Sequence, residues 1–412
     1  MSDGASGGEH LARAVAIGNR ISVRAAATEA SYVAELERIV GLAVPHLAPD
    51  RPNVIVLAEY LGLPAALVGR AGALARRAHT SRNALTFLAL ALLPRVLTYR
   101  RRWQKISFTR ALLLACADAL YRPLAETLAR LAAQHHAYII ATTPVPRLHR
   151  STDPREIARW GRPGASAVYL PDGPEVYNAA LVFAPDGTLI GRVEKVYLTK
   201  SEIETLDLTP GRLEDVWVLP TAAGRLGVAI SLDAFTPDYL RHLDAQHAEI
   251  VIQPDANDMP WAGPGAGYEW QPAEWLNSVL GSIQPQYPHL RYNLCAMQTG
   301  NFFDVVFDGQ SSITARSDTP PVTANGPDCG RNFVGVDDFV HTASGAQLDG
   351  TFLAVAPWVT DDPGIADPDL SLAERRKQLR ALGQDLLPGG RHAGKYRESV
   401  IWADLHVRSA DI

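Results

Sequence analysis

Cysteine is scarce in this 412-residue sequence, and neither sign of charge dominates it. The three cysteines, Cys116, Cys295 and Cys329, lie far apart. Thiols so placed make neither a disulfide framework nor the close pairing of a metal site, and they fit a reducing compartment. A net charge of −5 and an isoelectric point near 6.2 give no global reason to expect nucleic-acid binding. The opening "MSDGASGGEH" lacks the basic-then-apolar order of a signal peptide, so the cytoplasm is the default expectation. Internal repeats and low-complexity blocks are also lacking. The apolar stretch "NALTFLALALLPRVL" is far short of the ~20 residues that span a bilayer, and Pro94 and Arg95 interrupt it.

What the chain does have is a series of strand-like apolar runs with helical segments between them. "NVIVLAEY" (53–60) and "AYIIATTPV" (137–145) read as buried strands, the second after the helix that His135 and His136 close. Residues 177–198 read as a hairpin around Pro185-Asp186-Gly187. "RLGVAIS" and "AEIVIQP" flank a helix that starts near Thr236, and a further hairpin-like pair lies between Tyr292 and Thr314. Strands mixed with crossover helices and hairpins indicate an α/β fold with mixed sheets. No boundary stands out, so one domain over 10–405 is expected, carrying a helical insertion at 64–120. That insertion holds nine arginines from Arg70 to Arg110, including the run Arg100-Arg101-Arg102. A helical hairpin with a solvated basic face is favoured over a membrane-surface or oligomer contact.

Three reactive side chains each end a strand-like run: Glu59, Lys195 and Ser231. Strand ends are where α/β sheets gather their sites, and a carboxylate closing an apolar run needs a partner if it is buried. Taken singly, each has an ordinary structural account: a surface acid, a solvated lysine, and the N-cap of the next helix. Taken in order, they carry more. Ala58-Glu59 after an apolar strand, Lys195-Val-Tyr197-Leu198 after "PDGTLIGRVE", and Ser231-Leu-Asp233-Ala-Phe-Thr-Pro237-Asp238 resemble the motifs of the nitrilase superfamily of carbon–nitrogen hydrolases. "FDGQSSI" (307–313) and "YRESVIWADL" resemble two later strands of that family.

The resemblance implies a four-layer αββα sandwich and a Glu–Lys–Cys site that hydrolyses amides or nitriles through an acyl-enzyme. By this analogy Glu59 moves protons, Lys195 stabilises the oxyanion, and no metal or organic cofactor is needed. A second glutamate supports the lysine in the family, and here Glu202 and Glu204 both qualify. The expected partners are a small amide or nitrile and further copies of the chain. The departure is Ser231, which stands where the family has its cysteine. A hydroxyl does not ionise near neutral pH and needs a well-aligned base, whereas a thiol is readily activated beside a cation. Three accounts stay open: a substitution made to trap substrate, a natural branch that only binds or scaffolds, or a slow serine amidase. Acyl transfer at a membrane surface is a further alternative, suggested by the insertion.

Past the corner helix, Asp255, Asn257, Asp258 and Trp261 follow a strand and could rim a pocket, with Trp261 as a wall. An Asx-type turn accounts for the same loop equally well. Trp270 and Trp275 read as packing residues, and Cys295 as core.

Overall fold

The central strands are buried on both faces, with successive residues entering different cores, and this decides the architecture. In Asn53–Leu57, Val54 and Val56 enter one apolar cluster while Ile55 and Leu57 enter another. The same split separates Ala180 and Val182 from Leu181 and Phe183. Strands apolar on both faces must be covered on both. The computed structural model describes residues 8–20, 23–162, 164–262, 271–325, 348–367, 369–384 and 396–408, and it supplies those covers. Cys329 and Trp270 lie outside the described residues.

One six-stranded sheet runs in spatial order Ser399–Arg408, Glu9–Gly18, Asn53–Leu57, Ala137–Val145, Tyr177–Phe183 and Leu189–Glu194. The other runs Thr351–Val355, Ser312–Ala315, Tyr292–Met297, Ile250–Asp255, Gly224–Val228 and Leu219–Thr221. Each has parallel strands at its centre and antiparallel ones toward its edges. Their facing sides share a core in which Val56 and Ile140 meet Val228, Ile252 and Leu294. Helices Glu29–Ala43 and Ala117–His135 cover the outer face of the first sheet through Leu36, Ile39, Leu124 and Leu128. Helix Gln271–Val279 sets Trp275 and Leu276 against Cys295 and Met297 on the outer face of the second. The fold is a four-layer αββα sandwich.

Local differences from the sequence reading have local causes. The pair expected between 292 and 314 is opened by a separate hairpin, Thr299–Phe302 with Val305–Asp308, so its outer strands meet within the second sheet. Ser231 does not cap the next helix. It opens a short 3-10 turn, Ser231–Phe235, and Thr236 is the N-cap of helix Pro237–Ala245. In the 64–120 segment the main helices are Ser81–Ala91, Leu93–Arg102 and Phe108–Ala115, and position 120 falls inside helix Ala117–His135. Leu88, Val96, Leu112 and Leu113 form its core, joined by Leu208 and Phe303 from the sandwich. Among its arginines, Arg110 pairs with Asp207 at 2.8 Å, and the Arg100 guanidinium lies 4.8 Å from the Phe108 ring centre. No helix among the described residues is long and apolar enough to cross a membrane.

The two sheets are clamped where their strands end. The buried Asp233 carboxylate accepts the backbone N–H groups of Val196 at 3.1 Å and Tyr197 at 2.8 Å, which follow Lys195. The Glu59 N–H donates to the Asp255 carbonyl at 3.3 Å. Asp233→Ala leaves two partly buried N–H groups without their acceptor, so urea unfolding is expected to show a loss of about 1–3 kcal/mol. Asp233→Asn, which keeps one acceptor oxygen, is expected to lose less. Equal midpoints for wild type and Asp233→Ala would rule out the clamp.

Candidate active site

The strand ends deliver Glu59, Lys195, Ser231 and Asp255 to the wall of one cavity of about 1030 Å³. Lys195 follows the last residue of strand Leu189–Glu194, where the hairpin leaves the sheet, and its side chain is 1% exposed. Its Nζ lies 2.9 Å from Glu59 Oε1 and 2.9 Å from Glu202 Oε2. Asn178, on the neighbouring strand, donates through Nδ2 to Glu59 Oε1 at 2.6 Å and Glu202 Oε1 at 2.9 Å. Glu202 Oε1 also accepts the Tyr60 hydroxyl at 2.5 Å, and its Oε2 accepts the Thr199 N–H at 2.8 Å. That last bond is half of a capping box, Thr199 to Glu202, at the start of helix Lys200–Glu204.

These contacts divide the charge. Burial pushes the Glu59 carboxyl up to about 8, against the pull of the Lys195 ammonium, and the Glu202 and Asp255 charges add to the rise. Burial acts the same way on Glu202, but Lys195, Tyr60 and the Thr199 N–H outweigh it and hold that carboxyl below its ordinary value. For Lys195, burial opposes the charge, and Glu59 with Glu202 more than restores it, so the ammonium persists. The site therefore holds Lys195 between two carboxyl groups of unequal acidity, Glu202 as the settled anion and Glu59 as the group that binds its proton more tightly than an ordinary carboxyl.

Ser231 sits at the corner after strand Gly224–Val228 with φ of 48°, a left-handed conformation uncommon outside glycine. It lines the same cavity as the Asp255 carboxylate, which accepts Gln253 Nε2 at 2.9 Å. Asp255, expected at the pocket, does line the cavity. It is buried in the cavity wall, and desolvation raises its pKa.

The structure separates the other sequence candidates. Glu202 joins Lys195, while Glu204 is exposed and reaches only Lys200, at 3.9 Å. Asn257 lines the cavity and also makes the Asx turn, its Oδ1 accepting the Met259 N–H at 2.9 Å. Trp261 corrects the expectation of a pocket wall: it is fully buried off the cavity lining. Its indole N–H donates to Gln310 at 3.0 Å and its ring packs on Trp275. Trp275 packs as expected, though one edge reaches the cavity, and Cys295 is core. Tyr60 and Asn178 were not among the sequence candidates.

A family model described as carbon–nitrogen hydrolase matches residues 106–378. The chain belongs to the carbon–nitrogen hydrolase family. Lys195, Glu202, Ser231 and Asp255 fall within the matched segment of this hydrolase-family chain, and Glu59 precedes it. No curated protein matches. Among solved structures, the chain is similar to a carbon–nitrogen hydrolase from Helicobacter pylori G27, at 16% identity and TM-score 0.48 over 74% of this chain and 82% of that one. It is also similar to an amidase from Nesterenkonia sp., at 15% identity and TM-score 0.41 over 76% and 86% of the two chains. A third similarity is to Saccharomyces cerevisiae Nit3, of the nitrilase superfamily, at 15% identity and TM-score 0.43 over 74% and 82%.

The two glutamates of helix Lys200–Glu204 should behave differently. Glu202→Gln removes an anion from a buried pair and is expected to cost roughly 3 kcal/mol in urea unfolding at neutral pH. Glu204→Gln, at an exposed site, is expected to stay within about 0.5 kcal/mol of wild type. Equal losses would remove Glu202 from its place beside Lys195.

Proposed function

We propose that this carbon–nitrogen hydrolase family protein cleaves the C–N bond of an amide through an acyl-enzyme on Ser231. The observation that carries the reading is the buried Lys195 ammonium, held at 2.9 Å from Glu59 on the same cavity wall as a strained serine. Once Glu59 has lost its proton, the Ser231 oxygen attacks the carbonyl carbon and its proton passes to Glu59. The Lys195 ammonium stabilises the oxyanion in an enclosed site, where such a charge acts strongly. The C–N bond then breaks, Glu59 returns the proton to the leaving nitrogen, and an ester on Ser231 remains. Water activated by Glu59 hydrolyses that ester. A nitrile would enter the same sequence through an imidate and consume one more water.

A second reading, a protein that binds this ligand class without turning it over, is supported by two features. A hydroxyl replaces the family's thiol, and burial raises the pKa of Glu59, which holds its proton more tightly than an ordinary carboxyl. Ammonia release from simple amides separates the two. Because the base form of Glu59 is required, kcat/KM is expected to rise with pH along a limb near pH 8 and to fall below it. Glu59→Gln should lower kcat by about 10²–10⁴. Ser231→Cys should raise turnover at least about tenfold, since a thiolate gains from the Lys195 charge as a hydroxyl cannot. A correctly folded Ser231→Cys protein, inactive across a broad amide panel, would leave only the binding reading.

A further inference from the structure

We infer that the acyl part of the substrate is a long apolar chain, seated against the 63–116 segment; this rests on the hydrolytic reading above. The cavity is two-sided. Its charged groups come from the sandwich strand ends and from the 199–205 and 255–274 segments, whereas residues 63–116 contribute Leu67, Leu85, Leu88, Leu112 and Leu113. Phe303, on the hairpin opposite, closes the same side. Along helix Ser81–Ala91 the lining residues are Ser81, Ala84, Leu85 and Leu88, one face at helical spacing. That helix is fixed over the cavity by the Ser81 N–H, which donates to the Asp304 carboxylate at 2.8 Å.

The same segment is rich in arginine, yet among the described residues no arginine lines the cavity. Arg110 is spent on Asp207, and Arg76 donates to the Leu67 and Gly69 carbonyls. A substrate with a charged or strongly polar acyl end would have no partner there and would lose its hydration for nothing. The volume, about 1030 Å³, is at the top of the roughly 300–1,000 Å³ usual for small-molecule pockets and far exceeds what a two-carbon amide fills. A reacting carbon at the strand ends and an apolar body against the leucines satisfy both sides at once.

The test is a series of straight-chain primary amides from acetamide to decanamide. We expect kcat/KM to rise about three- to fourfold per added methylene until the cavity is filled. Ala66→Phe, which adds bulk to the lining on the apolar side, should cut the decanamide-to-acetamide ratio at least about tenfold. Calorimetric titration of the same amides into Ser231→Ala reads the pocket without turnover. Tightening with chain length in that variant supports the inference even where no amide is hydrolysed, and such inactivity would sink only the hydrolytic reading. Hydrolysis of acetamide with a flat or falling series, or Ser231→Ala binding that ignores chain length, would overturn it.

Discussion

A lysine ammonium kept from water sets the terms for everything around it. Lys195 is 1% exposed, and a charge so placed is tolerated only with close, well-satisfied partners. Two carboxyl groups flank one cation, so both cannot hold full negative charge at equal ease. The surroundings break the tie. Glu202 accepts from Lys195, Asn178, Tyr60 and Thr199, whereas the hydrogen bonds to Glu59 come from Lys195 and Asn178. More donors hold the anion on Glu202, and the proton settles on Glu59. The asymmetry turns two chemically similar acids into a fixed support and a titratable base.

Holding that arrangement requires backbone that is not at ease. Tyr60 and Ser231, each just beyond a strand, both have positive φ, at 62° and 48°. Such conformations cost about 1–2 kcal/mol for side chains with a Cβ, and they persist where neighbours over-determine them. Tyr60 is held by its N–H to Thr142 Oγ1 at 2.6 Å as well as by its hydroxyl. The Ser231 corner is held by the Asp233 clamp and by the Tyr239 hydroxyl on the Val228 carbonyl at 2.6 Å. Gly62 belongs to the same scheme: a Cβ there would meet the Thr143 side chain at 2.2 Å, so the chain leaving Tyr60 passes where only hydrogen fits.

Much of this was legible because it is local or periodic. Alternation in "NVIVL" and the turn at Gly187 predict the strand and the hairpin, and the order Glu59, Lys195, Ser231 points to the site. The choice between Glu202 and Glu204 was also written in the chain, as the box Thr199-x-x-Glu202, a signal that spacing from Lys195 alone does not carry. Tyr60 and Asn178 were not legible, since nothing in a tyrosine after Glu59 or an asparagine in a strand marks a polar bridge. That role arises only when the hairpin strand lies beside the 137–145 strand and next to the end of 53–57. Trp261 failed for a related reason. A loop that follows a strand can turn outward or inward, and the core that draws Trp261 in is built by residues such as Gln310 and Trp358, far along the chain.

The cover and the chemistry are one system, because the largest influence on Glu59 is desolvation. An apolar wall from residues 63–116 borders the same cavity as the strand ends. Less water means a stronger Lys195 field, a higher cost for a second anion, and hence a proton that stays on Glu59. A ligand body that fills the apolar side displaces still more water and moves each of these effects further in the same direction. In the proposed reaction, a segment that seats the ligand would also bear on the pH at which Glu59 is free to act as base, and Ser231, whose hydroxyl needs that base form, would inherit the setting. A thiol, ionised more readily by the same ammonium, would depend on it less. Cover, base and nucleophile are therefore tuned together through one quantity, the water left around Lys195.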